Sequence, residues 1–167
     1  MSVNKFKQFR NLAIASVAVA LSGQALAAAS TTTNMNVSAQ VVATCSLTAA
    51  DMVFGNYSGL AISSSAALSI TCTNGAPYTI GLSAGNATGA STSTRQMVNS
   101  TNSTSLLSYG LYQDTGSTVW GIGADALANQ TGSGGAQTVT VHGKVPAGQL
   151  TSLTGTYNDV VVATINY

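Results

Sequence analysis

An all-β sandwich is the fold class that this 167-residue sequence predicts, and three observations predict it. Gly, Ser, Thr, Asn and Ala dominate, Lys is scarce and Glu is absent, so the usual helix formers are missing. Several segments alternate apolar and polar residues with a period of two, the mark of a strand with one buried face. Turn residues rich in Gly punctuate these segments at sandwich-like spacing. An apolar content of 45% is too high for a disordered chain.

The first 27 residues read as a secretory signal. Lys5, Lys7 and Arg10 form a positive region, Leu12 to Leu21 is a short apolar run, and Ala25-Leu26-Ala27 fits a cleavage site. The run is too short to span a bilayer, so an exported chain without membrane insertion is expected. Beyond the signal, Arg95 and Lys144 stand against Asp51, Asp114, Asp125 and Asp159, a net charge of −2. Such a sparse surface offers no basic patch for phosphates, which excludes nucleic acid as a partner. It also offers little repulsion against self-association.

The strand readings follow in chain order. In Thr33 to Val42, Thr33, Met35, Val37, Ala39 and Val41 share one side and Asn34, Asn36, Ser38 and Gln40 the other. Val42 to Leu47 reads as its continuation past a kink. Phe54 to Gly59 is a turn with two aromatic anchors. Leu68, Ile70 and Cys72 alternate in the next strand, Thr73-Asn74-Gly75 turns, and Tyr78, Ile80 and Leu82 form another apolar face. Ser83 to Ser105 reads as a surface excursion with a short edge strand near Met97. Leu106 to Tyr112 returns to strand character, and Asp114-Thr115-Gly116 turns. Val119-Trp120-Gly121 begins a short strand, and Gly132 to Gly135 is a loop. Val139, Val141, Gly143 and Val145 then alternate up to the Pro146-Ala147-Gly148 break. The chain closes on Tyr157 to Tyr167, with Val161, Ala163, Ile165 and Tyr167 on one face. The even positions also carry valines, so coverage on both faces is expected there.

Two cysteines, Cys45 and Cys72, in an exported chain predict one structural disulfide. Closing a loop of this length is worth about 3.5 kcal/mol in the chain-entropy account. No His or CxxC neighbour suggests metal or thiol chemistry, and no cofactor or metal is expected.

Catalytic readings fail on context. Gly81-Leu82-Ser83-Ala84-Gly85 fits G-x-S-x-G, with Asp114 or Asp125 and His142 following in hydrolase order. A nucleophile elbow needs a strand-to-helix turn, whereas a Gly/Ser/Thr loop follows Gly85, so no enzyme is expected. His142 sits on the polar face of its strand, and the scattered Asp residues read as turn hydrogen-bonders. Trp120 with Tyr109 and Tyr112 could form an aromatic sugar platform, but core positions are the commoner use of such residues.

A resemblance covers nearly the whole mature chain. It is carried by Cys72-Thr73-Asn74-Gly75-Ala76-Pro77-Tyr78, Phe54-Gly55-x-Tyr57, Arg95-Gln96-Met97 and Leu107-x-Tyr109-x-Leu111-Tyr112-x-Asp114. Trp120-Gly121 and Gly143-x-Val145-Pro146-Ala147-Gly148-Gln149, followed by Gly155-x-Tyr157-x-Asp159 and Tyr167, complete it. Together these motifs resemble the spore coat protein U domain family, pilin subunits of archaic chaperone–usher pili. The resemblance implies an incomplete immunoglobulin-like sandwich lacking its last strand. A periplasmic chaperone would lend a strand, and at the outer-membrane usher the next pilin subunit would replace it with its own leading strand. Such donor-strand complementation is a form of β-strand addition. It further implies transit through the periplasm to an extracellular pilus, and a structural role in surface attachment and biofilm formation.

On this reading residues 28–39 are the donor extension, with the donor part placed at Ser30 to Ala39, and residues 40–167 are the sandwich. Thr33, Met35, Val37 and Ala39 would fill a neighbour's groove, while the segment toward Val41 and Cys45 stays in its own domain. Val161, Ala163, Ile165 and Tyr167 would form the wall against which chaperone or donor pairs. Burying Met35, Val37, Ala39 and Val41 would contribute about 5–8 kcal/mol. The alternatives are a secreted coat-like structural protein assembling without a chaperone, and a sugar-binding sandwich.

Overall fold

The computed structural model describes residues 28–167, so the expected signal at residues 1–27 lies outside them. The chain divides into a leading unit ending at Ala39 and a β-domain from Gln40 to Tyr167. In the leading unit residues 28–39 are exposed and carry no strand. A single strand has no ladder for its N–H and C=O groups, so alternation alone does not fix it.

Inside the β-domain the expected strand start is corrected. Gln40 to Thr44 is exposed and lies outside any strand, with Val41 and Val42 in water and Thr73 bonding the backbone of Val42 and Thr44, and the first strand, β1, spans Cys45–Ala49. It is followed by β2 (Ile62–Cys72), β3 (Pro77–Leu82), β4 (Arg95–Asn99) and β5 (Leu106–Tyr112). Then come β6 (Leu127–Thr131), β7 (Ala136–Val145), β8 (Tyr157–Asn158) and β9 (Ala163–Asn166). One short 3₁₀ turn, Gly123–Asp125, lies between β5 and β6.

Two antiparallel sheets result. One runs β1-β2-β7-β5-β4-β8, the other β6-β3-β9. The alternation read from sequence sets the faces: along β2, Leu68, Ile70 and Cys72 turn inward while Ser69 and Thr71 face water. Its long ladder with β7 sets Leu68 against Val139 and Ala66 against Val141. Leu107, Tyr109 and Leu111 of β5 and Tyr78, Ile80 and Leu82 of β3 complete the core. Trp120 is at its centre, fully buried, with its indole N–H donating to Ile80 O at 2.8 Å. That rules out Trp120 as a sugar platform.

The disulfide forms as expected between Cys45 and Cys72, directly opposite each other on β1 and β2. Thr73 N–H donates to Thr44 O, so the next pair inward, Cys45 with Cys72, is a non-hydrogen-bonded pair. Such pairs bring Cα atoms closest, here to 4.1 Å.

Other expectations are corrected. β4 is not an edge strand, for it lies between β5 and β8. Val119 makes only an isolated bridge to Tyr112, and β6, unforeseen, pairs with β3 instead. The closing segment is not one strand: β8 belongs to the first sheet, β9 to the second, and the chain changes sheet between them. Val160 and Val162 are exposed at this crossing rather than covered on both faces.

Candidate functional site: an open groove beside the last strand

The crossing from β8 to β9 is built by side chains that bond the backbone. Asp159 accepts from Tyr109 Oη at 2.6 Å, from Asn86 N–H at 2.7 Å and from Val160 N–H at 2.8 Å. Burial, reinforced by the bond to Asp159, pushes the Tyr109 phenol well above its ordinary pKa of 10. Gly85 sits against the same carboxylate with φ of 88°, and a Cβ there would overlap Asp159. Ser83 Oγ accepts from Val162 N–H at 2.9 Å, which ties the crossing to the end of β3.

Arg95 braces the other side of that junction. It is fully buried, and its guanidinium donates to four backbone carbonyls. Nε reaches Ser83 O at 2.8 Å and one Nη reaches Thr92 O at 2.6 Å. The other Nη spans Leu82 O at 3.0 Å and Trp120 O at 2.7 Å. Burial lowers its pKa from the ordinary guanidinium value, opposed by the nearby Tyr109, Asp159 and Tyr112. The planar fork of five donors suits this task as no other side chain does.

Thus held, the closing segment leaves one edge open. Ser83 N–H donates to Val162 O at 2.9 Å, which fixes the phase of the β3–β9 ladder. By antiparallel alternation, Thr164 and Asn166 turn their backbone groups to β3. Val161, Ala163 and Ile165 therefore present theirs to the open side, while their side chains are half-buried inward. An edge of this kind is a template for another strand.

Beside that edge the two sheets part into an open groove. Its central stretch is a cleft of about 410 Å³ floored by Leu68, Leu82, Tyr109, Leu111 and Val141 and flanked by Ala49, Val161 and Ala163. A second cleft of about 800 Å³ shares Met52, Phe54, Met97, Tyr157 and Asn158 with the first and continues the groove to Gly59, Leu150 and Leu153. The segment facing the last strand, residues 50–61, holds no regular strand, and Gly55 and Gly59 take positive φ there.

Of the residues singled out from sequence, Val161 and Ala163 line the groove. Ile165 packs against the core farther along, and Tyr167, at the chain's end, is 59% exposed. Met35 and Val37 lie in the leading unit, 82% and 87% exposed, with Thr33 and Ala39 also in water. Met52, Phe54, Met97 and Tyr157 were missed as groove residues; the inward phase of Tyr157 was available from the alternation that gave Val161. Ser83 and His142 do not converge, since Ser83 follows β3 of one sheet while His142 lies on β7 of the other and alternates outward between Val141 and Gly143. Asp114 is a half-buried turn carboxylate, accepting from the N–H groups of Gly116, Ser117 and Thr118 and from two hydroxyls. These bonds hold its pKa far below the ordinary carboxylate value. Among the described residues no three potential metal ligands cluster, and no helix is long and apolar enough to cross a membrane.

Fold and groove define an immunoglobulin-like β-sandwich with one strand position empty. The chain belongs to the Spore Coat Protein U domain family, whose model matches residues 31–164. It is 35% identical over 157 residues to "Protein U" of Myxococcus xanthus, the match covering 84% of this chain and 87% of that protein. The fold is shared with a chain in the CsuC–CsuE chaperone–tip adhesion subunit pre-assembly complex from archaic chaperone–usher Csu pili of Acinetobacter baumannii. There the TM-score is 0.59 at 20% identity, over 76% of this chain and 40% of that one.

Proposed function

We propose that this chain is a structural subunit of a chaperone–usher-type pilus of the archaic kind, polymerising by donor-strand exchange. The observation that carries the reading is the pairing of an empty strand position with an unpaired alternating segment. Val161, Ala163 and Ile165 offer unpaired backbone along an apolar groove. The leading unit holds an alternating segment, Thr33 to Ala39, exposed along its whole length. Each feature alone costs free energy in water, and each complements the other. A periplasmic chaperone would lend the missing strand first, an outer-membrane usher would guide its replacement, and Ser30 to Ala39 of the next subunit would fill the groove. Export through the periplasm to a surface fibre, and attachment and biofilm formation by that fibre, follow from this reading. The fold shared with a chaperone-bound pilus subunit and the family membership support it.

Deletion of Ser30 to Ala39 from the full mature chain tests it. The truncated chain is expected to bind its chaperone and to form no fibre; fibres of wild-type length would sink the assignment. Family membership and the likeness to Protein U also favour a second reading, a coat-like structural protein using the same groove without a chaperone. In that case the purified chain alone assembles as fast as it does from a chaperone complex.

A further inference from the structure

We propose that Thr73 is a positioning residue that biases the chain against capturing its own leading segment. By holding Val42 to Thr44 on the β2 side of the domain's entry, it leaves Thr33 to Ala39 to the groove of another copy. This rests on the donor-strand reading and adds to it what disfavours closure within one chain.

The clamp begins in the turn after β2. Thr73 O accepts from Ala76 N–H at 3.0 Å, so that carbonyl is engaged by the turn. The β1–β2 pairing nevertheless runs one step past Cys45 and Cys72, because the Thr73 hydroxyl takes the carbonyl's place. Thr44 N–H donates to Thr73 Oγ1 at 3.1 Å, and Thr44 O accepts from Thr73 N–H at 2.9 Å. The same hydroxyl lies within donating distance of Val42 O at 3.3 Å and of Thr44 O at 3.4 Å.

The clamp is itself held on both sides. The Cys45–Cys72 disulfide precedes it, and beyond it Gly75 N–H donates to Gly132 O at 2.9 Å while Gly134 N–H donates to Cys72 O at 3.0 Å. Gly132 sits so close that a Cβ there would overlap Thr73 O and Cys72. An anchor this constrained loses little freedom by gripping a passing segment.

The groove opens on the other flank of β1. β1 is the edge of the first sheet, bonded to β2, with β9 of the second sheet nearby. Ala49, at the end of β1, flanks the central cleft together with Val161 and Ala163. Cys45 opposes Cys72, and Asn166 opposes Thr79 near the start of β3, so the domain's entry and the end of β9 share one end of the sandwich. To enter its own groove, a leading segment would have to reverse at this end and cross from the layer of the first sheet to that of the second.

Reach decides whether it can. Packed sheets lie about 10 Å apart, and an extended chain gains about 3.3–3.6 Å per residue. From Cys45 back to Ala39 the chain spans at most about 20 Å, enough to reverse and cross. From Val42 back to Ala39 it spans at most about 10 Å, which the crossing alone consumes. Gripping Val42 and Thr44 therefore removes the chain length that self-capture needs, whatever the register of the incoming strand. The groove of a neighbour demands no such reversal.

The test compares full mature chains carrying Thr73→Val, which keeps the shape and removes the hydroxyl, and Thr73→Ser, which keeps the hydroxyl. A third variant leaves the domain untouched and inserts Gly-Ser-Gly-Ser between Val41 and Val42, which lengthens the free chain instead of releasing it. The readouts are the initial rate of polymerisation and amide exchange at Val161 and Ala163 in dilute monomer, with the β2–β7 ladder as the mark of a folded domain. Thr73→Val and the insertion are each expected to polymerise about tenfold more slowly, the scale set by one or two lost hydrogen bonds, and to protect both amides in the monomer. Thr73→Ser should behave as wild type, and deleting Ser30 to Ala39 from either slow variant should return both amides to fast exchange. Open amides in the folded monomers of both variants overturn the clamp at any polymerisation rate, because a loosened entry slows assembly without filling the groove. A wild-type chain that polymerises no faster than the chain lacking Ser30 to Ala39 overturns the donor-strand reading itself.

Discussion

Replacing Arg95 by Met keeps the length of the side chain and removes every donor. The wild-type guanidinium serves the carbonyls of Leu82, Ser83, Thr92 and Trp120. A buried acceptor left without its donor costs about 1–3 kcal/mol, so four of them cost about 4–12 kcal/mol in total. Against that, the variant no longer buries a cation, which offsets several kcal/mol. A net loss of about 3–5 kcal/mol follows, a large share of the roughly 5–15 kcal/mol typical of a whole domain. Urea unfolding of the mature chain, followed by the fluorescence of the buried Trp120, measures it. Arg95→Lys keeps the charge but has a compact ammonium with three donors for four acceptors, and should fall in between, at about 2 kcal/mol. A loss below about 1 kcal/mol for Arg95→Met would show that the carbonyls are satisfied otherwise, and would refute the bracing role.

Two further perturbations probe the strand crossing. Tyr109 has its pKa raised by burial and by the Asp159 bond, so the folded state favours the neutral phenol. Its contribution is complete below pH 10 and is lost as pH rises past the pKa of the unfolded chain. A melting-temperature profile from pH 8 to 11 should fall steeply in wild type and less so in Tyr109→Phe; identical alkaline slopes would contradict the assignment. Gly85→Ala places a methyl group on the Asp159 carboxylate at a φ that L-residues avoid. It should cost more than about 2 kcal/mol in the same urea assay, and a neutral result would show that the crossing can relax.

The parts of the fold legible in sequence were those where alternation decides burial. Leu68, Ile70 and Cys72, Tyr78, Ile80 and Leu82, Leu107, Tyr109 and Leu111, and Val139 to Val145 all face as their period of two requires. What escaped depends on partners distant in sequence. Arg95 reads as a surface charge because nothing local announces four carbonyls converging on it. β6, Leu127–Thr131, is too short and polar to declare itself, and exists because β3 offers an edge. The break in the closing strand follows from Asp159 and Ser83 capturing the backbone at the crossing, contacts made with Tyr109 on β5 and with Ser83 and Asn86 in the loop after β3. For the groove, sequence gives the phase of Val161 and Ala163. Its opposite wall, Met52 and Phe54, lies in a segment without periodicity and was invisible. The start of β1 was misplaced because the alternation of Met35 to Val41 runs on without a break toward Cys45, and alternation does not say which sheet a strand joins.

Amide hydrogen exchange at Val161 and Ala163 tests the central claim most directly. If the groove is an empty strand position filled by Ser30 to Ala39 of another copy, both amides are strongly protected in wild-type polymer. They should exchange rapidly in the chain lacking those ten residues, while the β2–β7 ladder stays protected in both. Equal protection of Val161 and Ala163 with and without the segment would mean that the edge is never open to it, and would contradict the account.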